Sequence, residues 1–135
     1  MEKILNYING ELVAPTNGNY LDNYNPSNGE VYSLIPDSEK QDINNAVAAA
    51  KQAFKSWSKT PKQKRSDILM KLADTIDKYS DELIKAESKD NGKPESLAAH
   101  VDIPRAPANI RFFAGAILHD SSEMHEMDGM AINYT

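Results

Sequence analysis

The chain has 135 residues, 40% of them apolar and 26% charged, which suffices for one folded unit with a modest core and argues against wholesale disorder. A net charge of −5 disfavours a nucleic-acid surface, and the absence of cysteine excludes disulfides, thiolate metal sites and a thiol nucleophile. No run approaches the roughly 18 apolar residues of a membrane span. Met1-Glu2-Lys3-Ile4 lacks the charged-then-apolar order of a secretion signal, so a cytoplasmic location is expected.

Residues 1–36 read as short strands and turns. A strand over 4–8 meets Asn9-Gly10, a strong hairpin signal, and returns over 11–14 to Pro15. Asn17-Gly18 marks a second turn, and 20–24 and 31–35 read as two further strands. Between them, Asn25-Pro26-Ser27-Asn28-Gly29 supplies a proline for the first central turn position and a glycine for positive φ.

Over 38–118 the apolar period lengthens to that of helices. Ser38 with Gln41 forms an expected capping box. Ile43, Ala46, Val47, Ala50, Ala53, Phe54 and Trp57 then fall on one stripe, which predicts that Phe54 and Trp57 belong to the core. Thr60, Pro61 and Gln63 open a second helix with its stripe at Ile68, Leu69, Leu72, Ala73, Ile76 and Tyr79. Its back alternates in charge at helical spacing, as a wet face does, and Lys59, Lys62, Lys64 and Arg65 read as part of that face. Ser80 is the expected cap of a third helix, which Asn91-Gly92-Lys93-Pro94 ends. Residues 95–101 read as helix, and Asp102-Ile103-Pro104 as a break and a new start with Asp102 as the cap. Pro107 predicts a kink, or a start delayed to about Ala106, because a proline inside a helix loses a bond and clashes at a cost of roughly 3 kcal/mol. The stretch 110–118 is apolar on nearly every face and demands burial in a larger body. Residues 119–129 read as a polar loop, and 130–135 as the start of a strand without a partner.

No chemistry emerges from these residues alone. There is no GxSxG, GxGxxG or phosphate loop, and His100, His119 and His125 are not at zinc-helix spacing. The cluster His119, Asp120, Glu123, His125, Glu126 and Asp128 reads as a solvated loop before it reads as a metal site. Asp42, Asp67, Glu87 and Asp102 are carboxylates with no evident partner for acid–base work.

The pieces taken in order resemble the start of the aldehyde dehydrogenase superfamily. Tyr7-Ile8-Asn9-Gly10-Glu11 resembles its opening hairpin, Asn25-Pro26-Ser27-Asn28-Gly29-Glu30 its NP-x-x-GE turn, and Asp42 through Trp57 its first long helix. Arg65, Leu69, Ala73 and Asp81-Glu82-Leu83 resemble the next two helices, and the stretch from Glu87 to Pro94 the E-x-x-D-x-GKP helix end. Val101-Asp102-Ile103-Pro104-Arg105, Arg111-Phe112-Phe113-Ala114, Met127-Asp128 and Ile132-Asn133-Tyr134-Thr135 are most similar to the 2-hydroxymuconic and 2-aminomuconic semialdehyde dehydrogenases.

The resemblance implies an α/β fold in which this chain supplies the N-terminal strands and helices of an incomplete nucleotide-binding domain. It implies oxidation of an aldehyde to an acid: a cysteine attacks the carbonyl, hydride passes to NAD or NADP, and a glutamate activates water. Those groups belong to the family's later portion, so no catalytic or cofactor-binding residue is assigned here and the chain alone is expected to bind no cofactor. The expected partners are the remainder of an aldehyde dehydrogenase chain and, in full-length form, a homo-oligomer, with no nucleic acid and no membrane; the resemblance implies that the strand at 130–135 leads toward the oligomerisation domain. The alternative is a non-catalytic remnant that acts as an interaction module. Some family members hold a monovalent cation at positions that fall here on Asn23, Tyr24 and Asp90, where backbone carbonyls and a carboxylate would form part of the site. The other reading of Asp90 is an acceptor of local hydrogen bonds near its helix end.

Overall fold

The computed structural model describes residues 1–127, 129 and 131–134, and the side chains of residues 1–125 and 129. Five short strands come first: β1 (Glu2–Lys3), β2 (Asn6–Ile8), β3 (Glu11–Val13), β4 (Tyr20–Tyr24) and β5 (Val31–Pro36). β1 runs parallel to β5 and β4 antiparallel to it, giving a three-stranded sheet in the order β1-β5-β4. β2 and β3 form a separate hairpin closed by Ile8 and Glu11. Asn9 and Gly10, with φ of 55° and 84°, supply the left-handed pair that a two-residue turn requires. The expected strand over 4–8 is thus split, because Ile4 donates its amide to Leu34 of the sheet while Asn6 begins the hairpin.

The helices follow: α1 (Lys40–Trp57), α2 (Lys62–Lys78), α3 (Ser80–Asn91), the single turn α4 (Glu95–Leu97), a π-helical turn Ala98–Asp102, and α5 (Ile103–His119). The starts of α1, α2 and α3 differ from their expected caps. α1 is capped at Glu39, whose amide donates to Asp42 Oδ2 at 2.9 Å, while Ser38 Oγ accepts from Asn6 Nδ2 at 2.8 Å. Thr60 closes the preceding helix by donating from Oγ1 to the Ser56 carbonyl, and Pro61 takes the cap position of α2. Ser80 lies inside α3 because Tyr79 is both the last cap of one helix and the first of the next. Its amide bonds back to Thr75 and Ile76, and its carbonyl accepts from Leu83. A junction of one residue leaves no place for a separate serine cap.

Asp102 holds the expected position directly ahead of α5, but its backbone is helical and its side chain makes no cap bond, so the chain is not broken there. The backbone runs on through the π turn, in which the Ile103 amide donates to the Ala98 carbonyl, and α5 starts at Ile103 with Pro107 inside it. The delayed start at Ala106 is therefore overturned. The carbonyl that Pro107 would crowd is that of Ile103, and the widened turn lies directly ahead of that residue. The polar stretch after α5 also carries a strand. β6 (Met124–Met127) pairs antiparallel with β7 (Ala131–Tyr134), so the loop expected over 119–129 is shorter and the final strand has a partner.

The core is small and consists of small residues. Among the described residues its buried members include Ala73, Ala98 and Ala114, one each from α2, the π turn and α5, with Pro107 of α5 buried beside them. Alanines let α2 and α5 approach closely, and Ser66 Oγ, buried between them, donates to the Ala114 carbonyl at 2.8 Å. Arg111 closes the same pair of helices from outside, reaching Asp74 and Asp77. Large apolar side chains such as Leu69, Ile76, Ile110 and Ile117 are only half-buried, and others are exposed. Phe54 is 63% exposed and Trp57 42%, which corrects their assignment to the core. Phe112 and Phe113 also stand open.

Candidate functional site

Local chemistry brings the two most distinctive motifs together. In the turn after β4, Asn25 Oδ1 accepts from the Ser27 amide at 3.0 Å and from Ser27 Oγ at 2.7 Å, and the Asn25 amide donates to the Glu30 carbonyl. This compact turn packs on the end of α3. Gly92 sits there at φ 77°, and a side chain at that position would place Cβ 3.1 Å from Pro26 Cβ. Glycine is required twice at Gly92, by the left-handed backbone and by the proline above it. Beside it, Lys93 Nζ joins Asp102 at 2.6 Å and Glu87 at 3.1 Å. Asp102 first and Glu87 second hold the Lys93 ammonium above the usual lysine range. Glu87 and Asp102, unpartnered carboxylates in the sequence, are thus ion-pair partners that fix the π turn to the end of α3.

One turn earlier on α3, Asp90 is the centre of a cluster spanning helix and sheet. Tyr32 Oη donates to Asp90 Oδ1 at 2.7 Å, and Asn23 Nδ2 lies 3.3 Å from the same oxygen. Asn23 Nδ2 also reaches Tyr32 Oη at 2.9 Å and Ser33 Oγ at 3.1 Å. A bulge makes this possible. Asn23 pairs with Ser33 but Tyr24 pairs with Val31, so Tyr32 is the extra residue on β5. A regular strand sends neighbouring side chains to opposite faces, and the bulge lets Tyr32 and Ser33 reach the same asparagine. The Tyr32 hydroxyl, and next Asn23, hold the Asp90 carboxyl below its ordinary value, while hydrogen bonding to that carboxylate raises Tyr32 above its own. Lys89 Nζ lies 4.4 Å over the Tyr32 ring.

Of the three expected cation residues, the side chains of Asn23 and Asp90 are brought together, and Tyr24 ends β4 with its side chain 53% exposed. Asp90 does accept hydrogen bonds, but from the sheet and not from its own helix end. Tyr32 and Ser33 were missed in the sequence, where nothing distinguishes a bulged strand from a regular one. Asp90, Glu87, Glu2 and Lys89 share the wall of an open cavity of about 530 Å³ with Tyr32 and Ser33.

The other carboxylate of note is structural. Asp42 is buried, and Oδ1 accepts from the Thr16 amide and hydroxyl, which ties the loop after β3 to the start of α1. The Thr16 hydroxyl, then the Glu39 amide, keep it below the ordinary carboxylate range. Among the described residues no group of three or more His, Cys, Asp or Glu could hold a metal ion. In the loop, Asp120 takes Lys62 at 3.0 Å and Glu123 lies 3.2 Å from His125 Nε2. Among the described residues no helix is long and apolar enough to cross a membrane.

The strands, the helix order and the two packed motifs define an α/β layer of the aldehyde dehydrogenase type. Residues 13–135 match the model of the Aldehyde dehydrogenase family, and the chain belongs to that family. It is 47% identical over 131 residues to the 2-aminomuconic semialdehyde dehydrogenase of Bos taurus, covering 96% of this chain and 26% of that protein. It is 40% identical to the 2-hydroxymuconic semialdehyde dehydrogenase of Pseudomonas sp. (strain CF600), covering 99% of this chain and 29% of the relative. Among solved structures, PnpE in complex with nicotinamide adenine dinucleotide superposes with a TM-score of 0.92 at 35% identity, over 99% of this chain and 27% of that one. An NAD+ complex of an aldehyde dehydrogenase from Bacillus cereus gives 0.93 at 33% identity, over 98% and 28%. The chain thus spans about a quarter of the length of the relatives it matches.

Proposed function

We propose that this chain is the N-terminal layer of an NAD-dependent enzyme that oxidises a muconic-type semialdehyde to the acid, and that the catalytic and nucleotide-contacting groups come from polypeptide outside these 135 residues. The observation that carries the reading is the outward apolar surface. Ile43 is 60% exposed, Phe54 63%, Phe112 69% and Phe113 60%, along the stripes that the sequence marks for burial. Burying such rings is the dominant favourable term in folding, so a layer that displays them is one side of a larger core. The substrate class rests on the names of the muconic semialdehyde relatives and their identity to this chain. NAD rests on the two cofactor-bound structures. No observation favours the non-catalytic interaction module.

The test is turnover. A polypeptide that continues this chain through a catalytic cysteine should reduce NAD+ with 2-aminomuconic or 2-hydroxymuconic semialdehyde, and the 135-residue chain should not. NADH formation by the purified chain alone would overturn the assignment. Activity of the longer polypeptide confined to other aldehydes would remove the substrate class.

A monovalent cation at Asp90 belongs to the same proposal, with the backbone carbonyls of Asn23 and Tyr24 beside it. The donor set fits in part. Both hydrogen bonds to Asp90 end on Oδ1, and among the described residues none reaches Oδ2. Further oxygens would have to come from elsewhere, since hard cations take six or so. The longer polypeptide should melt at different temperatures in sodium, potassium and choline chloride at equal ionic strength, and Asp90→Asn should abolish the difference. Identical melting of the unsubstituted protein in all three salts would sink this part.

A further inference from the structure

The chain contains four Asn-Gly pairs, at Asn9, Asn17, Asn28 and Asn91. In such a pair the glycine amide nitrogen can attack the asparagine side-chain carbon. The Cγ–Nδ2 bond breaks, ammonia leaves, and a five-membered imide forms. Water then opens the imide at either carbonyl, giving aspartate or isoaspartate. The net change is asparagine plus water to the acid plus ammonia, with no other reactant. Glycine favours the attack because it has no side chain to obstruct the ring. What distinguishes the four pairs is how firmly the fold holds the two reacting groups.

Three pairs are held at both ends. The Gly18 amide donates to Pro15, Gly29 to Asn25 and Gly92 to Ser88, at 2.9, 2.8 and 2.9 Å. The carboxamides are fixed as well. Asn17 accepts from the Asn19 amide and donates to the Asp37 carbonyl. Asn28 accepts from the Glu30 amide and donates to its carboxylate, and Asn91 accepts from the Lys93 amide and donates to Glu87. In each case the attacking nitrogen is tied to a carbonyl, and the carbon under attack is held by hydrogen bonds on both sides of the amide.

Asn9-Gly10 has neither restraint. Among the described residues no acceptor takes the Gly10 amide and none bonds the Asn9 carboxamide. The pair occupies the two central positions of a hairpin turn, outside the ladder that Ile8 and Glu11 close. Both residues are exposed. β2 and β3 have three residues each, and among the described residues no third strand joins them. Two-stranded ribbons of this size open readily, which frees the turn to reach the attack geometry.

We infer that Asn9 is a spontaneous deamidation site of this protein and that the other three Asn-Gly asparagines are protected by the fold. Conversion puts a carboxylate at the tip of the hairpin, and the isoaspartate form inserts an additional methylene into the turn backbone. The hairpin tip also borders the cavity between Tyr7, Ile8, Ala46 and Ala50, so the new charge arises at the rim of an apolar surface.

The experiment is ageing of the folded protein, as the longer polypeptide that continues this chain, in mildly alkaline buffer, with peptide mass mapping of all four sites over time. Deamidation at Asn9 should run at least roughly tenfold faster than at the other three, as the difference between an openable turn and locked ones. In denaturing urea the four rates should converge to within a few-fold, because the dipeptide is the same. Isoaspartate must appear beside aspartate at position 9, and Asn9→Gln must abolish the product there while leaving the other sites unchanged. Equal or slower reaction at Asn9 in the folded protein overturns the inference, as does a product that contains aspartate alone.

Discussion

Replacing Phe112 and Phe113 together by serine separates two ways in which α5 could be held. The rings meet edge-on, 5.2 Å apart, and are 69% and 60% exposed. Only about a third of each contacts the rest of the chain. Truncating a fully buried phenylalanine costs roughly 3–5 kcal/mol, so the buried third accounts for about 1–1.5 kcal/mol per ring in this chain. The exposed two-thirds amounts to about 130 Å² per ring, which at about 25 cal/mol per Å² offers about 3 kcal/mol when another surface covers it. The double variant should therefore retain its helical circular dichroism while self-association weakens by orders of magnitude, since each 1.4 kcal/mol is about tenfold. Sedimentation equilibrium and binding of an apolar fluorescent dye measure the second effect. A variant that associates as before but has lost most of its helix would refute the argument, because the rings would then form the core of this chain.

Further outcomes follow from single contacts. Gly92→Ala should destabilise by more than the roughly 1–2 kcal/mol of a left-handed backbone, because its Cβ meets Pro26, whereas Gly18→Ala, at φ 74° with open space, should cost the backbone term alone; urea midpoints compare them. Ser66→Ala should cost about 1 kcal/mol by the same measurement, for the loss of the buried bond to Ala114. Asp90 has a folded pKa below its unfolded one, so its contribution is present above the unfolded value of about 4 and lost as pH falls through the folded one. Asp90→Asn and Tyr32→Phe should each flatten the acid limb of a melting-temperature profile, and an unchanged limb in both would dismiss the cluster as a source of stability. Lys93 is shifted upward, so its contribution is present below the unfolded value of about 10 and lost as pH rises through the folded one. Lys93→Met should remove that alkaline loss in the same profile.

The turns were the most legible part of the sequence because their chemistry is local. Asn9-Gly10, the NP turn and Gly92 each need a particular backbone, and each residue type declares it. Helix starts were less legible because a cap can be displaced by competition. Ser38 is engaged by Asn6 and Thr60 by the helix before it, while Tyr79 serves two helices at once. The Asp90 cluster was legible only through resemblance, and its Tyr32 and Ser33 members depend on a register shift that no periodicity records. The strand at Met124–Met127 lies in a polar run, where alternation of apolar and polar residues gives no signal.

The distribution of residue size shows why the apolar stripes misled about burial but not about helix. Period fixes which side chains share a face, and α1, α2 and α5 keep that period. Whether a face is covered depends on what packs against it, and among the described residues the large apolar side chains are at most half-buried while the fully buried hydrophobic ones are alanines. On α2 and α5, which meet at a seam, small residues are the fully buried members, Leu69, Ile76, Ile110 and Ile117 are half-buried on the same two helices, and Phe112 and Phe113 stand exposed. A domain folding for itself would do the reverse, because apolar area stabilises in proportion to its size. The same asymmetry reaches the polar atoms: Arg65 Nε is enclosed with no acceptor among the described residues, and such a donor costs roughly 1–3 kcal/mol until one arrives. The seam and the surfaces beside it therefore describe one layer of an aldehyde dehydrogenase fold, with internal order set by alanine, glycine and hydrogen bonds and with its larger hydrophobic contribution directed outward.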